Sequence, residues 1–204
     1  MTGNCAELLV IFVAPFLGMP IPLLPVQILW INLMTDGLPA LALTAEVEEP
    51  DVMKRAPRPP AENPLAAGVW QHILLVGGLI AGLTLAVQGL GIGGGSPWQT
   101  MVFTTMAFSQ AALAMALRSD RLSVFRQGVW SNRPMLVAVA VVVGLQLLIV
   151  YLPALQVVFH TTPLSIGEIV VCVGVALAVL AFVEAWKQAR TRMSNLAAVN
   201  AAAI

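Results

Sequence analysis

The chain has 204 residues, 59% of them hydrophobic and 10% charged, with a formal net charge of zero. With a mean hydropathy of +0.89, this excludes an ordinary soluble globular domain and predicts an all-α, multi-spanning membrane protein. No basic block points to nucleic acid, and Cys5 and Cys172 lie inside apolar runs, where packing is the expected role.

Apolar runs bounded by Gly, Pro or charge predict a bundle of six transmembrane helices, near 1–17, 26–45, 69–91, 98–117, 135–152 and 166–186. A bilayer core of about 30 Å needs about 20 helical residues, so the last five suffice. The first is shorter, and the chain is expected to begin inside a longer helix of a longer protein. It carries Asn4 and Glu7, which share a helical face. The GMPIPLLP turn at 18–25 closes it.

The second segment, VQILWINLMTDGLPALALTA from Val26 to Ala45, carries the strongest signal. A carboxylate at the bilayer centre costs about 3 kcal/mol or more, so Asp36 demands a partner or a function. Gly37 and Pro39 follow it. The expectation is a helix unwound at Asp36-Gly37-Leu38-Pro39, its freed carbonyls lining a cavity. Beyond it, Glu46, Glu48, Glu49 and Asp51 form an acidic cluster, read as a solvated loop or a cation entrance.

In the third segment Gly78, Gly82 and Ala86 make a small-residue stripe suited to helix packing. The fourth brings Gln110 about eleven residues from Trp98, hence about 16 Å deep. Glu7 and Asp36 fall near the same depth. Glu168 and Glu184, at the two ends of the last segment, are expected in water, and His72 and His160 near membrane boundaries. Residues 1–192 form one membrane domain on this reading, and 193–204 a disordered cytoplasmic tail.

All ten Lys and Arg lie in three groups: Lys54, Arg55 and Arg58; Arg118, Arg121, Arg126 and Arg133; Lys187, Arg190 and Arg192. The connections 18–25, 92–97 and 153–165 have none. The positive-inside rule therefore puts the loops 46–68 and 118–134 and the C-terminus in the cytoplasm. Trp70, Trp98, Trp130, Trp186 and Tyr151 fall at segment ends, as interfacial aromatics do. The Ala- and Val-rich composition points to a bacterial cytoplasmic membrane.

Two acids and neutral oxygens from Asn4, Asn32, Thr35 and Gln110 suit a calcium-like cation, which takes 6–8 oxygen ligands. The set contains no nearby Cys or His, which disfavours zinc and copper. Manganese, sodium and protons stay open as cargo. Each Asn or Thr alone also reads as interhelical glue. A small ion-coupled secondary transporter and a non-catalytic membrane subunit are alternative classes. The former predicts a second broken helix bearing an acid, and segments three to six contain none.

These residues also carry a family likeness. VQILWINLMTDGLPALAL followed by EEPDVMKRAPRPP resembles the sixth transmembrane helix and following loop of type-two P-type cation-transporting ATPases, nearest the calcium pumps of the sarco/endoplasmic-reticulum kind and their bacterial relatives. NCAE before an apolar run resembles their fifth helix. The resemblance implies Asn4 and Glu7 as fifth-helix ligands and Asn32, Thr35 and Asp36 as sixth-helix ligands, with Asp36 able to bridge two ions. It places Gln110 at the eighth-helix position, which is Glu in reticulum-type pumps and Gln in plasma-membrane-type ones. One negative charge fewer implies a single bound ion or altered proton counter-transport. The loop at 46–64 would lie beneath the phosphorylation domain.

The DKTGT and TGE motifs and the nucleotide-binding domain do not occur in these residues. The resemblance therefore implies the C-terminal membrane portion of a pump, which alone would not hydrolyse ATP. Its expected partners are the lipid bilayer and the pump's first four helices and cytoplasmic domains. ATP and magnesium would act only through those domains.

Overall fold

The computed structural model describes the backbone of residues 1–45, 69–118 and 132–202, and the side chains of these apart from Asp36 and those from 191 on. The acidic cluster at Glu46–Asp51 lies outside the described residues, as do Lys54, Arg55, Arg58, Arg121, Arg126 and Trp130. Among the described residues every regular element is helical: α1 (Thr2–Phe16), α2 (Pro25–Ile31), a π turn (Asn32–Asp36), α3 (Gly37–Leu43), α4 (Val69–Gly94), α5 (Trp98–Ala116), α6 (Arg133–Tyr151), α7 (Pro153–Phe159) and α8 (Ile166–Ala202). The backbone of α8 thus continues through most of the segment read as a tail.

Among the described residues four stretches are long and apolar enough to cross a membrane: Pro25–Leu43, Val69–Gly94, Arg133–Tyr151 and Ile166–Arg190. α1 is apolar but shorter. α5 differs for a physical reason. Every residue from Thr100 to Ala111 is buried, because α5 packs against α4, α6, α8 and the π turn. A helix wrapped by other helices meets no lipid, so it tolerates Thr100, Thr104, Thr105, Ser109 and Gln110 where an outer helix needs apolar side chains. The core beside it joins Ala6 and Val10 of α1, Ile31 of α2, Val76 and Ile80 of α4, Phe103 and Met106 of α5, and Val179 and Val183 of α8.

Local signals explain the element ends. α1 closes in a Schellman motif: Met19 N–H donates to Ala14 O (3.0 Å) and Gly18 N–H to Pro15 O (3.0 Å), with Gly18 at φ 72°. Pro25 opens α2 at its first position. Asn132 caps α6 by accepting from Met135 N–H (2.9 Å), and its amide donates to Ala42 O at the end of α3 (3.2 Å). Ser165 and Glu168 form a capping box on α8.

Three expectations are corrected. The chain is not unwound at Asp36-Gly37-Leu38-Pro39: Gly37 has helical dihedrals (φ −69°, ψ −58°), and α3 continues through Pro39. Pro39 lacks an N–H and its ring would crowd the carbonyl four residues back, that of Thr35. The wider π turn ending one residue before Gly37 takes up the misfit, as a π-bulge does. Secondly, Gly78 and Gly82 face open space; it is Gly77 that packs, since a Cβ there would sit 3.2 Å from Cys5 Sγ and Thr2 O. The stripe that joins α4 to α1 is therefore one residue out of register with the expected one. Thirdly, Glu184 is buried, accepting from Lys187 Nζ (3.2 Å), while Lys187 also donates to Ala116 O at the end of α5.

Candidate functional site

Glu7, the acid of α1, is buried in the bundle, with 4% of its surface exposed. Both of its oxygens accept hydrogen bonds from other helices. Gln110 Nε2 of α5 donates to Oε1 at 2.8 Å, and Asn32 Nδ2 of the π turn donates to Oε2 at 2.9 Å. Thr35 Oγ closes the set, lying 2.7 Å from Gln110 Oε1. Glu7, Asn32, Thr35 and Gln110, all expected at one depth, are thus one hydrogen-bonded cluster drawn from three separate elements.

Each bond has a local cause. Asn32 Nδ2 also donates to Ile28 O (3.0 Å), and Thr35 Oγ approaches Ile31 O at 2.6 Å. Both side chains bond to a carbonyl four residues back on their own helix, a habit that bends helices and competes with the backbone ladder. Here it coincides with the π turn and keeps the polar groups at the helix surface facing Glu7. The Thr35 hydroxyl carries one proton and faces two acceptors, so it serves Ile31 O and Gln110 Oε1 in turn or shares between them.

One contributor escaped the reading of the sequence. A Cβ built on Gly3 would come within 2.9 Å of Gln110 Cδ and Oε1. Gly3 lies one turn before Glu7 on the same face, and its missing side chain lets the Gln110 amide lie against α1. A glycine four residues from an acid inside an apolar helix was the signal available.

Asn4 is not brought into the cluster. It lies on the exposed flank of α1 with Leu8 and Phe12, because three residues is only part of a turn and the buried face runs through Gly3, Ala6, Glu7, Val10 and Ala14. Asp36 ends the π turn, four residues after Asn32 and one after Thr35. Of the two histidines, His160 is exposed and holds the left-handed C-cap of α7 (φ 53°), and His72 is half-buried.

The cluster can offer several oxygens at one place: two from Glu7, one each from Asn32, Thr35 and Gln110. A carboxylate held by two amides deep among apolar helices marks a multi-pass membrane protein with a polar interior site. The sequence profile of the family described as cation transporting ATPase, C-terminus, matches residues 20–189, and the chain belongs to that family. It is 35% identical over 185 residues to a calcium-transporting ATPase of Bacillus subtilis (strain 168), covering 86% of this chain and 20% of that protein. It is likewise 35% identical to calcium-transporting ATPase type 2C member 1 of Homo sapiens over 191 residues, with 92% of this chain and 21% of the relative covered. Calcium-transporting ATPase 1 of Yarrowia lipolytica (strain CLIB 122 / E 150) gives 35% over 193 residues, covering 92% and 20%. The chain spans about a fifth of the length of the curated relatives it matches.

Proposed function

We propose that this chain is the ion-binding membrane part of an ATP-driven P-type cation pump, with six membrane-crossing helices and calcium as the cargo. The observation that carries the reading is the buried Glu7 carboxylate, gripped by amides from two other helices. Relatives named for calcium transport, the oxygen-only donor set and the membrane-spanning helices support it. On this reading Asp36 supplies a second acid, and Gly37 and Pro39 maintain the distorted winding.

The present hydrogen bonding suits the ion-free condition. Asn32 and Gln110 turn N–H groups toward Glu7 and so take the place of a cation's positive charge. An arriving calcium ion would require both amides to turn their oxygens inward. Gln110 in place of an acid leaves the set one charge short, which favours one ion per cycle. Phosphorylation and ATP hydrolysis would belong to domains outside these residues, with magnesium bound there.

The test is a chimera in which this chain replaces the matching region of the Bacillus subtilis relative. ATP-dependent calcium uptake into membrane vesicles is expected. It should disappear in Glu7→Ala and Asp36→Asn, with phosphorylation from ATP no longer dependent on calcium. A chimera that still phosphorylates but takes up calcium equally well without Glu7 would refute the site.

A further inference from the structure

The π turn is the weak point of the second span, and one neighbouring helix grips the span on both sides of it. Wider winding over Asn32–Asp36 interrupts the regular backbone ladder between α2 and α3. The two halves keep a fixed rotation only if contacts outside the helix hold them. α6 is built to do so. Its buried residues Met135, Ala138, Val142, Gln146 and Ile149 recur every three or four positions and make one face. Asn132, the N-cap, begins that face one turn earlier.

Before the π turn, Trp30 Nε1 donates to Gln146 Oε1 at 3.1 Å. After it, Ala42 O accepts from Asn132 Nδ2 at 3.2 Å. Trp30 and Ala42 lie twelve residues apart, and Asn132 and Gln146 fourteen, which is about 18 and about 21 Å of helix. The pairs run in opposite order, as antiparallel neighbours require. Between the two bonds the helices touch through Ala42, Met135 and Ala138, with Leu38 and Val139 packed alongside.

Both anchors do more than α6 itself needs. Capping asks only for the Asn132 oxygen that accepts from Met135 N–H, and Asp or Ser would serve as well. The amide N–H toward Ala42 is the part that only Asn adds. Gln146 is a fully buried amide in an apolar helix, and its Nε2 reaches Thr104 Oγ of α5 at 3.3 Å. Thr104 precedes Gln110 on that helix by six residues. Met115 of α5 packs into the same apolar cluster as Ala42. The two spans that bring neutral groups to Glu7 are thus both referenced to α6, whereas α1, which carries Glu7, packs chiefly against α4.

We infer that α6 is a splint for the π turn, with Asn132 and Gln146 as positioning residues of the polar cluster. By holding Trp30 and Ala42 they fix the rotation of the two halves, and with it the aim of Asn32 and Thr35 at Glu7 and Gln110. The inference rests on the reading of that cluster as the ion site.

The test uses the full chain in detergent and the chimera in vesicles. Asn132→Asp keeps an acceptor for Met135 N–H and removes the donor to Ala42 O. Trp30→Phe keeps a ring against Phe159 and removes the donor to Gln146. In each, deuterium exchange of the backbone amides over 32–43 is expected to rise about fivefold, as the loss of one buried hydrogen bond implies. Exchange over 133–142 should stay unchanged. Asn132→Ala, which loses the cap as well, should add a rise at the start of α6. In the chimera both Asn132→Asp and Trp30→Phe should raise the calcium concentration for half-maximal uptake several-fold and leave the maximal rate near that of the parent. A merely structural role would lower the maximal rate through lost protein and leave half-saturation alone. Val137→Ala, on the exposed side of α6, should change neither readout. No local rise in either variant, or a rise shared by the whole bundle, would overturn the splint. A local rise with unaltered half-saturation would overturn the positioning role. Should the parent chimera take up no calcium, the ion reading fails, while exchange over 32–43 still decides the splint.

Discussion

Gly3 of α1 and Gln110 of α5 approach so closely that a methyl group on the first would sit 2.9 Å from the amide oxygen of the second. The amide is otherwise fixed by Glu7 and Thr35, so it has little room to retreat. Gly3→Ala should therefore destabilise the bundle by about 1–3 kcal/mol, the usual cost of overpacking. In the chimera it should also weaken calcium uptake several-fold. Thermal unfolding in detergent checks the first effect. Shortening the other partner checks the cause: Gly3→Ala with Gln110→Ala should be more stable than the sum of the single changes allows.

Glu7→Gln keeps the size of the side chain but changes its hydrogen bonding. A carboxylate accepts from both Asn32 and Gln110; a carboxamide has one oxygen and must turn an NH2 toward another NH2. The expected result is complete loss of calcium uptake in the chimera together with a stability loss of about 1–3 kcal/mol for the unsatisfied donor. Glu7→Asp, with its shorter reach, should retain the charge but lower calcium affinity. Concentration dependence of calcium uptake distinguishes the two, and normal uptake in Glu7→Gln would exclude Glu7 as a ligand.

Much of this arrangement was legible in the sequence because lipid imposes simple rules. Apolar run lengths locate the long helices, and acids inside such runs demand partners, so Glu7, Asn32, Thr35 and Gln110 could be placed at one depth from spacing alone. What spacing cannot supply is rotation about a helix axis. Asn4 and Glu7 are near enough in angle to share a broad face, yet only Glu7 points inward. The same ambiguity moved the packing stripe of α4 from Gly77 to Gly78. The π turn was also hidden, since Gly and Pro signal an interrupted helix without saying whether it opens or widens.

The register on α4 yields a paired prediction. Gly77 faces Cys5 and the Thr2 carbonyl at 3.2 Å, whereas Gly78 and Gly82 face nothing within 4 Å. Gly77→Val should separate α1 from α4 and lower thermal stability by about 1–3 kcal/mol. Gly78→Ala and Gly82→Ala should be neutral or stabilising by about 0.5–1 kcal/mol, since alanine loses less backbone freedom in a helix. The reverse order of stabilities would show that the stripe of Gly78, Gly82 and Ala86 makes the contact after all.

Pro39→Ala separates stability from function. Alanine restores the backbone donor to the Thr35 carbonyl and removes the ring, so ordinary α winding can spread back through Asn32–Asp36. Closing a π turn removes its extra residue per turn and rotates everything on one side of it relative to the other by roughly 100°. The helix should gain stability from the added bond. Yet Asn32 and Thr35 would lose their shared aim at Glu7 and Gln110, since one of them must swing away with the rotated half. The expected outcome is a thermal midpoint equal to or above that of the parent, with calcium uptake by the chimera reduced at least about tenfold. A more stable variant with undiminished uptake would mean that the site does not depend on the π turn, and that Glu7 and Gln110 alone set its geometry.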